Sequence, residues 1–196
     1  MKEPNKKPLF LLSPKNHLRR KEVKSTLSDM STGTGFQPVL VDKLVRNDGP
    51  DVAKIILCSG RIYYDLMDHV KEAVIEKDSA IVRIEQLYPF PAARVSEILA
   101  QYPTASIIWC QEEPQNLGPW FYMRDQLEIL QGTENISYRE IHYIGRLSNA
   151  APSGGSKRVY TNEQRAICEQ VFAFQELDTA PVKNGTANLI HIKKYQ

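Results

Sequence analysis

The chain has 196 residues, of which 42% are hydrophobic and 24% charged, a composition typical of a globular domain with a core of useful size. No apolar run approaches the roughly 20 residues of a membrane span, and the N-terminus lacks the apolar core of a signal peptide. The net charge of +2 is uneven: eight basic and two acidic residues give residues 1–24 a charge of +6, which leaves −4 on the remainder. The remainder has no basic stripe with interleaved aromatic residues, which disfavours nucleic-acid binding.

Three cysteines, Cys58, Cys110 and Cys168, lie far apart and form no CxxC pair. Two of them end apolar runs, which is typical of small buried residues in a reducing compartment. A catalytic thiol is the alternative, but no partner base stands out. The four histidines lack metal-ligand spacing. We therefore expect a protein of the cytoplasm, or of the mitochondrial matrix if the source is eukaryotic.

Residues 1–24 form a basic arm. Residues 8–13 are typical of a short buried strand, and Pro14 suits the first position of a short helix that runs to about Val23. Such an arm suits a phosphate or an acidic partner, and equally a solvated linker. We predict a linker at 1–24, a domain at 25–177 and a flexible polar tail at 178–196.

From about residue 36 onward, apolar runs alternate with amphipathic segments. The pattern predicts strands at 36–41, 53–58, 79–85, 105–111 and 136–144, and helices at 62–77, 91–101, 120–130 and 161–174. Strands separated by helices of ten or more residues need crossover connections and hence a parallel sheet. The sequence therefore predicts an α/β fold, a three-layer α/β/α arrangement around a mostly parallel five-stranded sheet.

The strands differ in pattern. Residues 55–58 and 107–110 are continuously apolar, as in central strands covered on both faces, whereas 138–144 alternate as in a strand near an edge. On the helices, one stripe contains Tyr63, Leu66, Val70 and Val74, and Val95 and Leu99 point inward in the next helix.

Glu112 and Glu113 follow an apolar strand, where functional groups gather in sheets of this kind. Two acids suit acid–base chemistry if one is desolvated, but neighbours in sequence usually point apart. The alternative is structural: carboxylates accept backbone N–H groups, and Asn116 and Gly118 shape the loop.

Two glycine-containing loops are candidate binding sites for a phosphate or another anion. Ser59 and Gly60 join a strand to a helix, but without a phosphate-binding fingerprint a simple tight turn is favoured. Arg146 precedes a loop of small residues at 148–157. Its guanidinium and the loop amides are suited to an anion, and a flexible connection is the equal alternative.

Several motifs occur together in one order: 13–19 (SPKNHLR), 57–66 (LCSGRIYYDL), 82–91 (VRIEQLYPFP), 109–118 (WCQEEPQNLG) and 143–146 (YIGR). Together they resemble the C-terminal domain of the thiamine-dependent decarboxylating component of 2-oxoglutarate dehydrogenase, which has a transketolase C-terminal-like fold. Residues 149–153 replace that family's serine-rich SASPA segment, and Tyr160 stands where a histidine is common. The roles of those two positions do not transfer.

The resemblance implies an enzyme that decarboxylates 2-oxoglutarate with thiamine diphosphate and Mg²⁺ and passes the succinyl group to the lipoyl arm of a succinyltransferase. This chain lacks the family's GDG…NN pattern, so we expect it to bind no cofactor and to be inactive alone. Its start resembles the end of a preceding domain, which favours a piece of a longer enzyme or a chain complementing a separate catalytic chain. The implied partners are the remaining domains or chain, a homodimer partner and the lipoyl succinyltransferase.

The resemblance also implies a regulator of the coenzyme A type on this domain. The basic candidates are Lys15, Arg19, Arg20 and Arg146, while Glu112, Glu113, Asn116 and Gly118 form the structural or interface motif. The competing hypothesis is a free-standing nucleotide- or anion-binding α/β module, which would need a phosphate-binding fingerprint that the sequence lacks.

Overall fold

The computed structural model describes residues 7, 8, 10, 14–42, 52–72, 79–133 and 138–175. The chain divides into two compact units, residues 1–36 and 37–196. The first contains two short 3-10 helices, Lys15–Arg19 and Ser28–Met30. The predicted domain boundary after residue 24 stays a prediction, and the tail at 178–196 lies outside the described residues.

The second unit alternates strands with helices. Its strands are β1 (Val39–Val41), β2 (Lys54–Cys58), β3 (Ser79–Ile84), β4 (Ser106–Pro114) and β5 (Ile141–Arg146). Its helices are α1 (Ile62–Glu72), α2 (Ala92–Gln101), α3 (Trp120–Thr133) and α4 (Lys157–Ala173). No described helix has the length and apolar character needed to span a membrane.

The five strands form one sheet in the order β1-β3-β2-β4-β5. Strands β3, β2, β4 and β5 are parallel, and β1 adds to the edge in the antiparallel direction. Every residue of β2 is buried, and β5 is an edge strand of the sheet, as the apolar patterns predicted. The mostly parallel five-stranded sheet is confirmed.

Helices cover both faces of the sheet. One core cluster joins alternate strand residues such as Ile55, Val82 and Trp109 to α2 and α3, and includes Val95 and Leu99 as predicted. The other joins the intervening residues, such as Ile56 and Cys110, to α1 and α4. Successive side chains of each strand therefore point into two separate cores, one on each face of the sheet. The sheet between two layers of helices is the three-layer arrangement.

Several predicted boundaries are wrong at the N-terminal side. Phe10 is 86% exposed, which contradicts a buried strand at that residue, and the rest of 9–13 lies outside the described residues. Pro14 precedes a 3-10 helix that ends at Arg19, well before residue 23. Residues 73–77, including Val74, also lie outside the described residues. On α1, Leu66 is buried and Tyr63 and Val70 pack half-buried on the core.

In the later part of the chain, some elements begin at other residues than predicted because side chains form hydrogen bonds to backbone groups near their ends. The amide of Gln131 binds both the N–H and the C=O of Arg139, at 2.7 and 3.1 Å, so β5 begins at Ile141 rather than near 136. Helix α4 begins at Lys157 because the Ser156 hydroxyl accepts the Val159 N–H at its N-terminus. Strand β4 continues to Pro114 through an irregularity in its pairing with β5.

A buried lysine holds the end of α4 to the sheet. Lys54, only 4% exposed at the start of β2, donates from Nζ to the carbonyl oxygens of Phe172 and Phe174 at 2.6 and 3.2 Å. Such a cation satisfies carbonyl groups that a helix end leaves without intrahelical partners, and it suits the negative end of the helix dipole.

We expect Lys54→Met to destabilise the chain by about 2 kcal/mol, because it leaves buried carbonyl groups without a donor while keeping most of the side-chain volume. Urea denaturation would measure the change. Lys157→Met, which removes the same charge from an exposed position, is the control. Equal stability of the two variants would contradict the anchoring role.

Candidate functional site

The sheet changes its winding direction between β2 and β4. Strand β2 leads through α1 to β3 on one side, and β4 leads through α3 to β5 on the other, with α1 and α3 on opposite faces. In open α/β sheets, ligands bind in the crevice at the carboxyl ends of the strands where this reversal occurs. In this chain, polar side chains fill that position.

Arg146, at the end of β5, is the central member of the group. It is 6% exposed, yet its guanidinium binds three different partners. Nε donates to the Glu163 carboxylate at 2.8 Å and Nη2 to Oε1 of Gln164 at 2.9 Å, both on α4. Nη1 donates to the backbone carbonyl of Glu112 on β4. The charge is thus neutralised and its donors are directed in three directions, as burial of a cation requires.

A chain of contacts runs from Arg146 across to α1 and back to β4. Gln164 donates from Nε2 to Oδ2 of Asp65 at 2.8 Å. Asp65 lies 3.5 Å from Nη2 of Arg61, whose Nη1 is 3.7 Å from Oε2 of Glu112. The ion pairs with Arg61 are longer than hydrogen bonds, so this residue contributes mainly charge.

Tyr160 closes the ring. Its hydroxyl donates to Oε2 of Glu112 at 3.0 Å. Two guanidinium groups lie over its aromatic ring, with Cζ at 4.9 Å from the centroid for Arg146 and 5.3 Å for Arg61. We call the closed set the polar ring; its members are Arg61, Asp65, Glu112, Arg146, Tyr160, Glu163 and Gln164. It joins α1, β4, β5 and α4.

Burial dominates the ionisation of two members of the polar ring. Desolvation raises the pKa of Asp65 above its ordinary value of 3.8, although Arg61 and the Gln164 amide oppose the shift. Desolvation also raises the pKa of Tyr160, and the neighbouring Glu112 adds to the effect. The phenol is therefore a hydrogen-bond donor at neutral pH and not a phenolate.

The stretch after the apolar part of β4 is organised by the amide of Gln111. Its Oε1 accepts the Trp109 indole N–H at 2.9 Å. Its Nε2 donates to the carbonyl groups of Pro114 and Leu117 at 3.1 and 2.8 Å. Gln111 is only 2% exposed, so its amide pairs with carbonyl groups on the buried side of this loop that water does not reach from that side.

Gly118 and Asn116 contribute to the conformation of the loop that follows β4. Gly118 has φ of 68°, and a Cβ there would lie 3.1 Å from Cβ of Glu113, so both conformation and space favour glycine. Asn116 binds the backbone of Asn149 twice, accepting its N–H at 2.9 Å and donating to its C=O at 3.0 Å. The amide thereby fixes the start of the small-residue loop.

Glu112 and Glu113 point apart. The Glu112 carboxylate accepts from the Tyr160 hydroxyl rather than from a backbone N–H as the structural alternative had it, and the Glu113 side chain packs beside Gly118. An acid–base pair is therefore not assembled. Lys15, Arg19 and Arg20 belong to the first unit and Arg146 to the second. The regulator hypothesis stays a prediction, and at Arg146 it would require the contacts described above to break.

Sequence reasoning did not single out Arg61, Asp65, Glu163 and Gln164. Arg61 precedes α1, Asp65 lies on α1, and Glu163 and Gln164 lie on α4. No signal in one sequence shows that these two helices meet beside Arg146. Within the described residues, no group of three His, Cys, Asp or Glu is placed to hold a metal ion. All three cysteines are buried and free, and burial raises the pKa of Cys58 and Cys168 to about 12.

We expect Asp65→Asn to change how stability depends on pH. The folded state holds the Asp65 proton more tightly than the unfolded state, so the carboxylate costs stability as the pH rises through and above 3.8. The asparagine variant lacks this cost and keeps an acceptor for Gln164. Its free energy of unfolding relative to the original chain should therefore rise with pH and then level off.

Urea denaturation between pH 3 and pH 7 measures this difference. Asp125→Asn, on an exposed stretch of α3, serves as the control and should show no such rise. A difference that shrinks as the pH rises would mean that attraction to Arg61 outweighs the burial of Asp65.

The family described as 2-oxoglutarate dehydrogenase C-terminal matches residues 24–172. The 2-oxoglutarate dehydrogenase E1 component of Azotobacter vinelandii is 40% identical over 172 residues, 86% of this chain and 18% of the relative. The E1 component of Cupriavidus necator is 39% identical over 170 residues, 86% of this chain and 17% of the relative. The mitochondrial 2-oxoglutarate dehydrogenase of Caenorhabditis elegans is 35% identical over 170 residues, 86% and 16% respectively.

The chain thus spans less than a fifth of the length of the curated relatives it matches. The family match covers the whole described sheet, from β1 to β5, and all of α4 except its last residue, including every member of the polar ring. The chain belongs to the 2-oxoglutarate dehydrogenase C-terminal family.

Proposed function

We propose that this chain serves as the C-terminal assembly domain of a 2-oxoglutarate dehydrogenase E1 component. The whole component would decarboxylate 2-oxoglutarate with thiamine diphosphate and Mg²⁺ and transfer the succinyl group to a lipoyl domain. The observation that carries the proposal is the family match over residues 24–172. The partners would be the rest of the component, a second copy of it and the lipoyl succinyltransferase, in the cytoplasm or the mitochondrial matrix.

The geometry of the strand ends supports an assembly role over a catalytic one. The ionisable side chains at the winding reversal are held by contacts within the chain: Glu112 by Tyr160, Asp65 by the Gln164 amide, and Arg146 by Glu163. A general acid or base must instead reach a substrate proton and have a pKa suited to its task. These groups hold α4 and α1 to the sheet, which gives a rigid domain that other parts of an enzyme can pack against.

We expect the purified chain to show no decarboxylation of 2-oxoglutarate, even with thiamine diphosphate and Mg²⁺ added, because it lacks the GDG…NN pattern that binds them in the family. Release of CO₂ from labelled 2-oxoglutarate measures this, with a complete E1 component as the positive control. Turnover that survives repurification of the chain would contradict the proposal.

We expect activity when this chain occupies its place in a complete enzyme. The chimera would be the Azotobacter vinelandii E1 component with its matched region replaced by this chain, a substitution between sequences that are 40% identical. Decarboxylation within about tenfold of the unaltered component is expected, because under this proposal the replaced region serves assembly and the catalytic groups lie elsewhere in the component. A folded chimera with no activity would contradict the assembly role.

A regulatory role is the second candidate, and exposed basic residues of the first unit favour it. Lys15 and Arg19 are exposed at the first and last positions of the same 3-10 helix, which gives an anion access to two cations. Arg20 lies 3.6 Å from the Glu22 carboxylate, so part of its charge is already compensated. The ligand class would be a nucleotide-containing thioester such as acetyl-CoA, held by its phosphates.

Calorimetric titration with acetyl-CoA should give binding that the double change Lys15→Ala and Arg19→Ala weakens about tenfold, and that weakens further with salt. Lys157→Ala with Arg165→Ala removes two exposed charges elsewhere and is the matched control. The absence of heat with the original chain, or equal weakening by both double variants, would contradict this role.

A further inference from the structure

Three thiols meet in the core between the sheet and the helices α1 and α4. Cys58 in β2 and Cys110 in β4 are Cα partners on adjacent parallel strands, so their side chains point to the same face. Cys168 lies on α4 and belongs to the same core cluster as the other two. We call these three residues the thiol cluster. Residues that lie far apart in sequence are thus brought together under two helices.

The register of Cys58 and Cys110 is suited to a disulfide bond. Neighbouring strands lie about 4.8 Å apart, which is within the roughly 4.4–6.8 Å that separates the Cα atoms of a disulfide. The two Cβ atoms would have to approach to about 3.8 Å, which strains the bond and makes it easier to reduce. Cys168 has no such register, because it lies on a helix that packs over the sheet.

In the closed structure the two strand thiols are protected. Cys58 and Cys110 are both 0% exposed. Burial raises the pKa of Cys58 to about 12, although the Arg83 guanidinium opposes the rise. Burial also raises the pKa of Cys110, and the neighbouring thiols add to the effect. Because the thiolate is the form that attacks an oxidant, the pair can react only when the helices that cover it open.

The polar ring holds the helix that covers the thiol cluster. Gln164 lies about one turn before Cys168 on α4. Burial raises the pKa of Cys168, and the Asp65 carboxylate adds to the rise, which is consistent with a position of that carboxylate near the thiols. Gln164 binds Arg146 at 2.9 Å and Asp65 at 2.8 Å. Loss of these two hydrogen bonds would let this turn of α4 open locally and admit solvent to the thiols.

We propose that Cys58 and Cys110 are a modification site for hydroperoxides, which convert the pair into a reversible disulfide when α4 opens. The site lies within the folded chain and is independent of the proposed function. Its chemistry needs only the two thiols and the peroxide, because the strained disulfide is returned to two thiols by an ordinary thiol reductant.

The reaction has two steps with hydrogen peroxide as the oxidant. The Cys58 thiolate attacks one peroxide oxygen and keeps it as a sulfenic acid, while the other oxygen leaves with a proton as water. The Cys110 sulfur then loses its proton and attacks the sulfenic sulfur; the S–S bond forms, the S–O bond breaks and a second water leaves. Two thiols thus lose two electrons, and the peroxide gains them. Cys58 takes the first step because Arg83 favours its thiolate.

Peptide mapping of the folded chain after treatment with hydrogen peroxide tests the pair. We expect a disulfide between Cys58 and Cys110, which dithiothreitol reverses and which Cys168→Ala retains. Cys110 lies at nearly the same sequence distance from Cys58 as from Cys168, so the chain unfolded in urea should form both pairs about equally and is the control. A disulfide that includes Cys168 in the folded chain, or no disulfide at all, would overturn the proposal.

The order of the two steps has its own readout. In Cys110→Ala, dimedone should trap a sulfenic acid on Cys58, because the thiol that resolves it is missing. In Cys58→Ala, labelling of Cys110 should be about tenfold slower. Faster labelling of Cys110 than of Cys58 would overturn the assignment of the first step.

One helix variant tests the control by α4. Gln164→Ala should form the disulfide about tenfold faster than the original chain, because opening no longer breaks two hydrogen bonds. Asn162→Ala removes an exposed amide from the same helix and should react at the original rate. If Gln164→Ala does not fold, Glu163→Gln makes the same comparison, since it weakens one contact of Arg146. Equal rates for the folded polar-ring variant and Asn162→Ala would overturn the control by α4.

Discussion

The buried guanidinium of Arg146 is the interaction on which the carboxyl-end edge of the sheet depends. A charge that is 6% exposed is tolerated only when it is paired and its donors are satisfied, and Glu163, Gln164 and the Glu112 carbonyl meet that need. The consequence is geometric. Two of these partners lie on α4 and one on β4, so satisfying one cation places a helix against the sheet and fixes the strand end that carries Glu112.

The same constraint extends to the first crossover. Gln164 uses its oxygen for Arg146 and its amide nitrogen for Asp65 on α1, so its orientation is determined by both neighbours. Desolvation then disfavours the Asp65 carboxylate more than Arg61 favours it. Burial of the Asp65 carboxylate is therefore a cost within the polar ring, while the two hydrogen bonds of Gln164 hold α1 and α4 in one arrangement. On the other face, α2 and α3 rest on apolar packing and leave aromatic side chains exposed.

The sequence predicted the layered architecture well because that architecture follows from local patterns. Continuous apolar runs at 55–58 and 107–110 identified the strands covered on both faces, and the alternation at 138–144 indicated an edge strand. Boundaries failed where a side chain of another element binds the backbone. The start of β5 depends on Gln131, and no pattern near residue 138 reveals that an amide on α3 binds the Arg139 backbone.

The candidate site shows the same division. Asn116 and Gly118 were identified from turn chemistry, which is local: one bonds to a neighbouring loop and the other has a positive φ. Arg61, Asp65 and Gln164 meet only because a helix from the end of the chain packs beside one that begins about a hundred residues earlier. Residue types alone cannot specify such a meeting, since each of these side chains is equally suited to a solvated helix surface.

Adjacent carboxylates at a strand end are commonly taken as candidates for catalysis, and the surroundings of Glu112 and Glu113 explain why they do not form a catalytic pair. Successive side chains of a strand point to opposite faces, so Glu112 meets Tyr160 and Arg61 while Glu113 packs beside Gly118. The two carboxylates therefore have different neighbours and different structural roles. One carboxylate balances the Arg61 guanidinium in the polar ring, and the other side chain packs beside Gly118 in the turn that leads to α3. The two adjacent glutamates thus contact opposite faces of the sheet at its carboxyl-end edge. Glu112 binds groups beside α1 and α4, and Glu113 packs in the turn before α3.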